Sequence, residues 1–289
     1  MTTTQIAILK TLIYADIFDY PLAPQEIRRF LIGEKTTCKD FHQALIKLNQ
    51  KQQIIKYRHY YALPKRQHTV GSRLQKISIS RQKQPFVTRI ATLLRLIPTV
   101  WFIGVSGNLA IDNAADKDDI DFFIITAPKT IWLTRLLSNI LLTVFNLRRT
   151  PQLKKIKNKA CLNMFLDSGH LLLPAGERNL FTAHEIVQLK PKLNRRSTYE
   201  RFLQTNKWVL NYLPQAFSLP NITGSVNFGS ILWIKPIEDI CRVVQLWYMK
   251  QRRTCEVISQ TMLKFHPQNA KFRILAAYKK GLKKWGLTK

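Results

Sequence analysis

The feature that most constrains the fold is a pair of strongly apolar runs close together in the chain. Residues 100–105 (Val-Trp-Phe-Ile-Gly-Val) and 119–126 (Asp-Ile-Asp-Phe-Phe-Ile-Ile-Thr) are separated by a Ser-Gly-Asn turn and a polar loop. Short apolar runs rich in β-branched and aromatic residues, bounded by turn residues, are typical of buried strands. We therefore expect two neighbouring strands at the centre of an α+β fold.

The second run begins with two carboxylates, Asp119 and Asp121. Side chains alternate along a strand, so both carboxylates project from the same face. Like charges held this close repel each other unless a cation lies between them. Mg²⁺, or Mn²⁺ in its place, is the natural occupant, because it takes hard oxygen ligands together with substrate phosphates. The apolar side chains alternate in the same way, with Phe123 and Ile125 on the acidic face and Ile120, Phe122 and Ile124 on the other.

The charge distribution sets this stretch apart from the rest of the chain. The formal net charge is +29, from 46 Lys and Arg against 17 Asp and Glu, yet residues 100–128 hold one basic and five acidic residues. Such an acidic island in a basic chain suits a site that binds a divalent cation and a polyphosphate together. The overall charge favours a polyanionic partner, namely nucleic acid, nucleotides or an anionic membrane surface. A generally basic proteome would give the same composition without such a partner.

The turn after the first strand supplies the second half of the predicted site. Gly107 lets backbone N–H groups approach a phosphate closely at the start of a short helix. Ser106 and Asn108 flank it and can donate side-chain hydrogen bonds. If the two strands are neighbours, this phosphate cradle faces the acidic pair.

A glycine turn, eleven residues between Gly107 and Asp119, and Asp-x-Asp on an apolar strand resemble the nucleotidyltransferase superfamily that includes DNA polymerase beta. The resemblance covers residues 100–167. It implies that Asp119 and Asp121 hold Mg²⁺ and that a nucleoside triphosphate such as ATP is the substrate. A nucleoside monophosphate would pass to a hydroxyl acceptor while pyrophosphate leaves.

Two positions depart from the family pattern. The turn has Asn108 where the family has Ser, although an amide can still donate to phosphate. The family also has a third carboxylate on a later strand, where residues 161–167 (Cys-Leu-Asn-Met-Phe-Leu-Asp) place Asn163. An amide cannot accept a proton as a general base. Asp167, at the far end of that strand, is the other candidate for this position.

Residues 5–64 resemble the winged helix-turn-helix group in element order. Helical spacing over residues 5–15, a helix beginning near Pro24 and a third capped by Thr36 or Thr37 precede two β-prone runs over residues 53–63. The third helix of that fold enters the DNA major groove. Its outward side chains here would be Lys39, His42, Gln43 and Lys47. Use of the same fold for protein contacts or domain packing is the alternative.

The organisation we expect has four parts. They are a winged-helix-like domain (1–66), a basic connector followed by a helix from Phe86 to Leu96 beyond Pro85 (67–98), a nucleotidyltransferase-like core (99–178) and a helical C-terminal region (179–289). Within the last part we expect helices over 180–190, 198–213, 236–262 and 269–285, with a loop over Pro214–Ser230.

Other residue types add little chemistry. The four cysteines, Cys38, Cys161, Cys241 and Cys255, form no metal-ligand spacing, and the six histidines form no ligand motif. We expect no membrane span, because the most apolar stretch, Ile131–Leu147, is short and contains Arg135. The N-terminus lacks the pattern of a signal peptide, so we expect a cytoplasmic protein.

Two functions remain open at this point. One is a Mg²⁺-dependent nucleotidyltransferase whose acceptor, given the basic charge, is RNA or DNA. The other is a protein of the same fold that has lost catalysis and acts as a DNA- or RNA-binding or regulatory module. The sequence does not identify a partner protein.

Overall fold

The computed structural model describes residues 1–150, 153, 155–220, 235–250, 257–265 and 269–287. Within these ranges the protein is α+β. Its helices are α1 (Thr3–Asp16), α2 (Pro24–Arg29), α3 (Cys38–Gln50), α4 (His68–Leu94), α5 (Gly107–Ala110), α6 (Ile131–Val144), α7 (Leu180–Gln188), α8 (Thr198–Thr205), α9 (Lys235–Lys250) and α10 (Asn269–Lys284). Its strands are β1 (Ile55–Tyr57), β2 (Tyr60–Ala62), β3 (Val100–Val105), β4 (Ile120–Thr126), β5 (Ala160–Asp167), β6 (Lys190–Asn194), β7 (Val257–Ile258) and β8 (Met262–Lys264). Short 3₁₀ turns occupy Ala175–Glu177 and Lys207–Asn211.

Six strands form one mixed sheet in the order β6-β3-β4-β5-β8-β7. β3 and β4 are antiparallel, as a connection through a short turn and loop allows. β4 and β5 are parallel, with α6 as the crossover between them. The two strands expected at the centre of the fold are therefore confirmed as neighbours.

The side-chain alternation predicted for β4 is confirmed by the two hydrophobic cores on opposite faces of the sheet. Phe123 and Ile125 belong to a core formed with the N-terminal helices, α7 and α8. Ile120, Phe122 and Ile124 belong to a second core, formed with α4, α6 and α9. The sheet is thus buried between two helical layers, which explains why its central strands are apolar on both faces.

The N-terminal elements follow the predicted order of three helices and a hairpin. Pro24 occupies the first turn of α2, where its missing N–H leaves no hydrogen bond unmade. The hydroxyl of Thr37 caps α3 by accepting a hydrogen bond from the Asp40 backbone N–H at 3.1 Å. The buried face of α3 is the one expected from its spacing, and comprises Phe41, Ala44, Leu45 and Leu48.

The expected division of residues 67–98 at Pro85 is wrong. One helix, α4, runs from His68 to Leu94 with Pro85 inside it. A proline within a helix removes the hydrogen bond to the carbonyl four residues earlier, here that of Arg81. Both residues are exposed, so water can reach that carbonyl. Packing of Val87, Ile90 and Leu94 against the sheet stabilises the helix beyond the proline.

The expectation of an entirely helical region after residue 179 is also wrong, since three strands of the sheet come from it. β6 contains Pro191 and two lysines, a composition tolerated because β6 is an edge strand. The helix expected over 236–262 ends at Lys250 as α9, and β7 and β8 follow residues that lie outside the described ranges. The loop expected over Pro214–Ser230 is described only as far as residue 220.

A buried lysine on α4 fastens the acidic loop that precedes β4. Lys83 is 2% exposed, and its Nζ donates to the carbonyl oxygens of Asp116 at 2.9 Å and Asp118 at 2.6 Å. It also donates to Oδ1 of Asn158 at 2.9 Å. All three hydrogens of the ammonium group are therefore used. The lysine fixes where the loop enters β4, immediately before the acidic pair.

Replacing Lys83 by methionine removes the ammonium group that donates to the carbonyl oxygens of Asp116 and Asp118 and to Asn158 Oδ1. These three acceptors would then lack a donor in the protein interior. We expect Lys83→Met to lower the free energy of unfolding by about 1–3 kcal/mol, measured by urea denaturation. Lys47→Met on the exposed face of α3 is the matched control and should change it by less than about 0.5 kcal/mol. Equal stability of the two variants would contradict this role for Lys83.

Candidate functional site

The acidic pair lies where β3, β4 and β5 meet. Carboxylate oxygens of Asp119 and Asp121 and the thiol of Cys161 all lie within 4.8 Å of one another. Cys161 is the partner of Asp121 in the parallel ladder between β4 and β5. The backbone N–H of Ser106 donates to the Asp121 carbonyl at 2.9 Å, which holds the end of β3 beside the start of β4. The sheet therefore brings two carboxylates and one thiol together.

The two carboxylates have different surroundings. Burial is the main cause, and the neighbouring Asp119 the next, of the rise in the pKa of Asp121 to about 7. Its Oδ1 is buried and has no hydrogen-bond partner among the described residues. Asp119 instead forms an ion pair with Arg149, which follows α6. One carboxylate is thus neutralised by a partly exposed cationic side chain, and the other retains a buried oxygen without a partner among the described residues.

The thiol beside them is not a free anion. Burial raises the pKa of Cys161 well above its usual range, and the two nearby carboxylates raise it further. The thiol is therefore protonated at neutral pH and lies close to the Asp121 carboxyl group. The group therefore offers the carboxyl oxygens of Asp119 and Asp121 and a neutral thiol, a donor set that fits Mg²⁺ or Mn²⁺ only through its oxygens.

Glycine is required at position 107 for two separate reasons. Its φ is +63°, in the left-handed region that disfavours a side chain. A Cβ added there would lie 2.6 Å from Oδ2 of Asp121. The backbone of the turn can therefore approach the carboxylate closely only because residue 107 has no side chain.

The other two residues of the predicted cradle flank this contact. Ser106 is buried, and its Oγ has no partner within the described part of the chain. Asn108 is exposed, and its amide makes only a long hydrogen bond, of 3.5 Å, to Asp118. Since α5 has only four residues, backbone and side-chain donors matter more here than a helix dipole.

The two candidates for the third acidic position are placed differently from expectation. Asn163 lies in an irregularity of the β4–β5 register, between the pairs Phe122–Leu162 and Phe123–Met164, and the residue that pairs with Asp121 is Cys161. Its buried side chain lines a small cavity of about 40 Å³ together with Ser106. Its Oδ1 has no partner among the described residues.

Asp167 belongs to the opposite end of the sheet. It pairs with Thr126 six residues beyond Cys161, which corresponds to about 20 Å along the strand. Its carboxylate accepts hydrogen bonds from the backbone N–H groups of Lys129 and Gly169, each at 2.7 Å. It shapes the turn before α6 and does not join Asp119 and Asp121.

Several residues at the site escaped the sequence analysis. Cys161 belongs to no sequence motif, because Asp119 and Asp121, its neighbours in space, come from another strand. Arg149 could not be singled out, because it is one of several basic residues in a loop. A cavity of about 200 Å³ opens beside Gly107 and Asp121 and is also lined by Tyr14, His184 and Glu185. Only the tertiary packing of α1 and α7 brings those three residues here.

Comparison of the chain with models of known protein families, with curated proteins and with solved structures finds no match. Among the described residues, no helix combines the length and the apolar character needed to cross a membrane. The geometry above is therefore the basis for interpreting the site.

The contact between Gly107 and Asp121 predicts a position-specific effect of adding one methyl group. Gly107→Ala should lower the free energy of unfolding by about 1–3 kcal/mol, because it adds left-handed strain and a clash with Oδ2. Gly71→Ala on α4, where an added Cβ meets nothing within 4 Å, should raise it by about 0.5–1 kcal/mol. Thermal or urea unfolding of both variants measures this; similar changes in both would refute the close approach.

The raised pKa of Asp121 predicts a particular dependence of stability on pH. In the metal-free protein the folded state binds this proton more tightly than the unfolded chain, whose aspartates titrate near pH 4. The contribution is present below about pH 4 and is lost as the pH rises to about 7. Urea unfolding in EDTA should therefore show wild type losing stability relative to Asp121→Asn across that window. Parallel pH profiles would contradict the shift.

Proposed function

We propose that this protein is a Mg²⁺-dependent nucleotidyltransferase that moves a nucleoside monophosphate from a nucleoside triphosphate to a hydroxyl acceptor. The observation that carries the proposal is the junction of Asp119, Asp121 and the Gly107 turn at one edge of the sheet. The order β3, α5, β4, α6, β5, with an antiparallel and then a parallel pairing, supports a nucleotidyltransferase-like core.

Asp119 and Asp121 are the residues that would hold Mg²⁺, or Mn²⁺. The fit rests on two hard carboxylates at short range and on the buried, unpartnered Oδ1 of Asp121. A bound ion would supply positive charge that stabilises the transferring phosphate. Deprotonation of Asp121 is required for this role, and binding the cation would favour it.

The groups around the pair suit a triphosphate. The Gly107 turn allows a phosphate to approach the backbone, and Ser106 and Asn108 have donors that are unused or weakly used. Arg149 forms its ion pair with Asp119 at a partly exposed position. Arg149 would then be released from Asp119 and could donate to the phosphates, for which its planar guanidinium is well suited.

A nucleic-acid acceptor is the choice that the charge supports. The formal net charge is +29, and the N-terminal helices and hairpin have the order of a winged helix. On α3 the side chains that would face a major groove are exposed, namely Lys39, His42, Gln43 and Lys47. We propose RNA or DNA as the acceptor class on these grounds.

One observation favours a second function. The position beside Asp121 on β5 is Cys161, a protonated thiol that can neither bind Mg²⁺ well nor serve as a general base at neutral pH. The alternative is therefore a protein of the same fold that binds nucleotide or nucleic acid without transferring a nucleotide.

The test is incubation of the purified protein with each α-labelled nucleoside triphosphate, Mg²⁺ or Mn²⁺, and RNA, DNA or small-molecule extract. We expect label in an acceptor with wild type and at least a hundredfold less with the Asp119→Ala, Asp121→Ala double variant. Asp239→Ala, an exposed aspartate on α9, is the matched control and should keep wild-type activity.

Two results separate the two functions. If wild type binds nucleotide in a Mg²⁺-dependent manner but transfers nothing, the non-catalytic function is the correct one. In that case Cys161→Asp, which adds the third carboxylate beside Asp121, should create measurable transfer. If the double variant binds nucleotide with Mg²⁺ as well as wild type does, the proposed metal site is wrong, and the transferase function is wrong with it.

A further inference from the structure

The cavity beside the acidic pair lies between α1, α7 and α10. Gly107, Asn108 and Asp121 form one wall, and Tyr14, His184 and Ala270 contribute to the others. Its volume of about 200 Å³ is below the roughly 300–1,000 Å³ of sites that enclose drug-sized ligands. It can therefore hold one ring system, while a larger ligand would extend past Gly107 to the edge of the sheet.

His184 brings to this cavity a second buried polar atom without a partner, besides Oδ1 of Asp121. The residue is 4% exposed, and its Nε2 has no hydrogen-bond partner among the described residues. One ring face stacks on Tyr14, with centroids 4.1 Å apart and planes 10° from parallel. The other ring nitrogen, Nδ1, lies 3.5 Å from the side-chain nitrogen of Gln188. The imidazole is thus held in place with one nitrogen unused.

The imidazole is uncharged. Complete burial lowers the pKa of His184 to about 3, so the ring is neutral at any physiological pH. A neutral imidazole offers one donor or one acceptor at Nε2, which matches the edge of an uncharged heterocycle. A phosphate would find no positive charge at this ring.

The remaining walls select against anions and for aromatic rings. Glu185 lines the cavity, and an acidic side chain there disfavours phosphate. Phe18, Phe30 and Phe181 line it as well, and they supply apolar surface for a flat ring. The phosphates of a nucleotide would therefore lie at the Gly107 turn, and its uncharged heterocyclic base would lie inside the cavity.

We propose that this cavity takes the nucleobase of the triphosphate, and that His184 recognises the base through a hydrogen bond from or to Nε2. The inference rests on the proposed function, because the triphosphate at Gly107 positions the base. It assigns nucleotide selection to α1, α7 and α10, elements outside the sheet that carries Asp119 and Asp121.

Calorimetric titration of the full chain in Mg²⁺ tests this with inorganic tripolyphosphate, the four nucleoside triphosphates and the four free nucleosides. At least one nucleoside triphosphate should bind ten or more times tighter than tripolyphosphate. His184→Phe keeps the ring shape and removes Nε2, so it should reduce that ratio at least threefold and leave tripolyphosphate affinity unchanged.

A second variant guards against the possibility that His184→Phe fails to fold. Ala270→Leu should fill the cavity from α10 and abolish the advantage of the nucleotide over tripolyphosphate. Ala276→Leu, at an exposed position of the same helix, is the matched control and should keep it. Circular dichroism and thermal unfolding confirm that each variant is folded.

The outcomes separate this inference from the proposed function. If tripolyphosphate binds with Mg²⁺ but every nucleotide binds equally well, or if Ala270→Leu does not reduce the preference, the base lies elsewhere and the inference is overturned. That result would not contradict the proposed transferase function. If neither tripolyphosphate nor any nucleotide binds, the proposed function fails and this inference fails with it.

Discussion

The antiparallel pairing of β3 with β4 is the constraint on which the site depends. It places the turn after β3 directly against the residues that open β4, and the contact is so close that only glycine fits at position 107. A side chain there would meet the Asp121 carboxylate, so turn and acidic pair must be considered as one unit. The buried cores on both faces of the sheet fix this register, since slipping by one residue would exchange the two faces of β4.

Basic residues from three parts of the chain contact the acidic island and offset the repulsion among its carboxylates. Lys83 reaches the loop from α4 through backbone carbonyls, and Lys157 and Lys190 pair with Asp116 and Asp112. Arg149 pairs with Asp119 itself. The contact of Lys83 is buried and shapes the loop. The exposed ion pairs contribute little to stability, and their side chains can exchange partners. Arg149, at 39% exposure, can leave its carboxylate for a ligand at modest cost.

Local patterns in the sequence were sufficient to predict the strands β3, β4 and β5, the first three helices and the opposite faces of β4. They failed where the signal is not local. Pro85 is a helix breaker on propensity, but tertiary packing beyond it overrides that preference. β7 and β8 are too short to show the alternation of apolar and polar residues that predicts a strand. β6 contains Pro191, a residue that is untypical of strands. The family pattern pointed to Asn163 for the third position, whereas Cys161 is the residue that pairs with Asp121, and a register irregularity after Leu162 leaves Asn163 unpaired in the ladder.

The N-terminal helices are tied to the site by more than shared apolar packing. The Tyr20 hydroxyl donates to the Ile111 carbonyl at 2.8 Å, and the Asn113 amide donates to the Phe18 carbonyl at 3.2 Å. Both contacts attach the end of α1 to the loop between Gly107 and the acidic pair. A macromolecule that binds α3 would contact a helix whose buried face belongs to the same hydrophobic core as one face of the sheet. That core includes Tyr14, on which His184 stacks. The acceptor proposed for the N-terminal helices and the nucleobase proposed for the cavity would therefore contact the same packed elements, which would give each a physical route by which to influence the other.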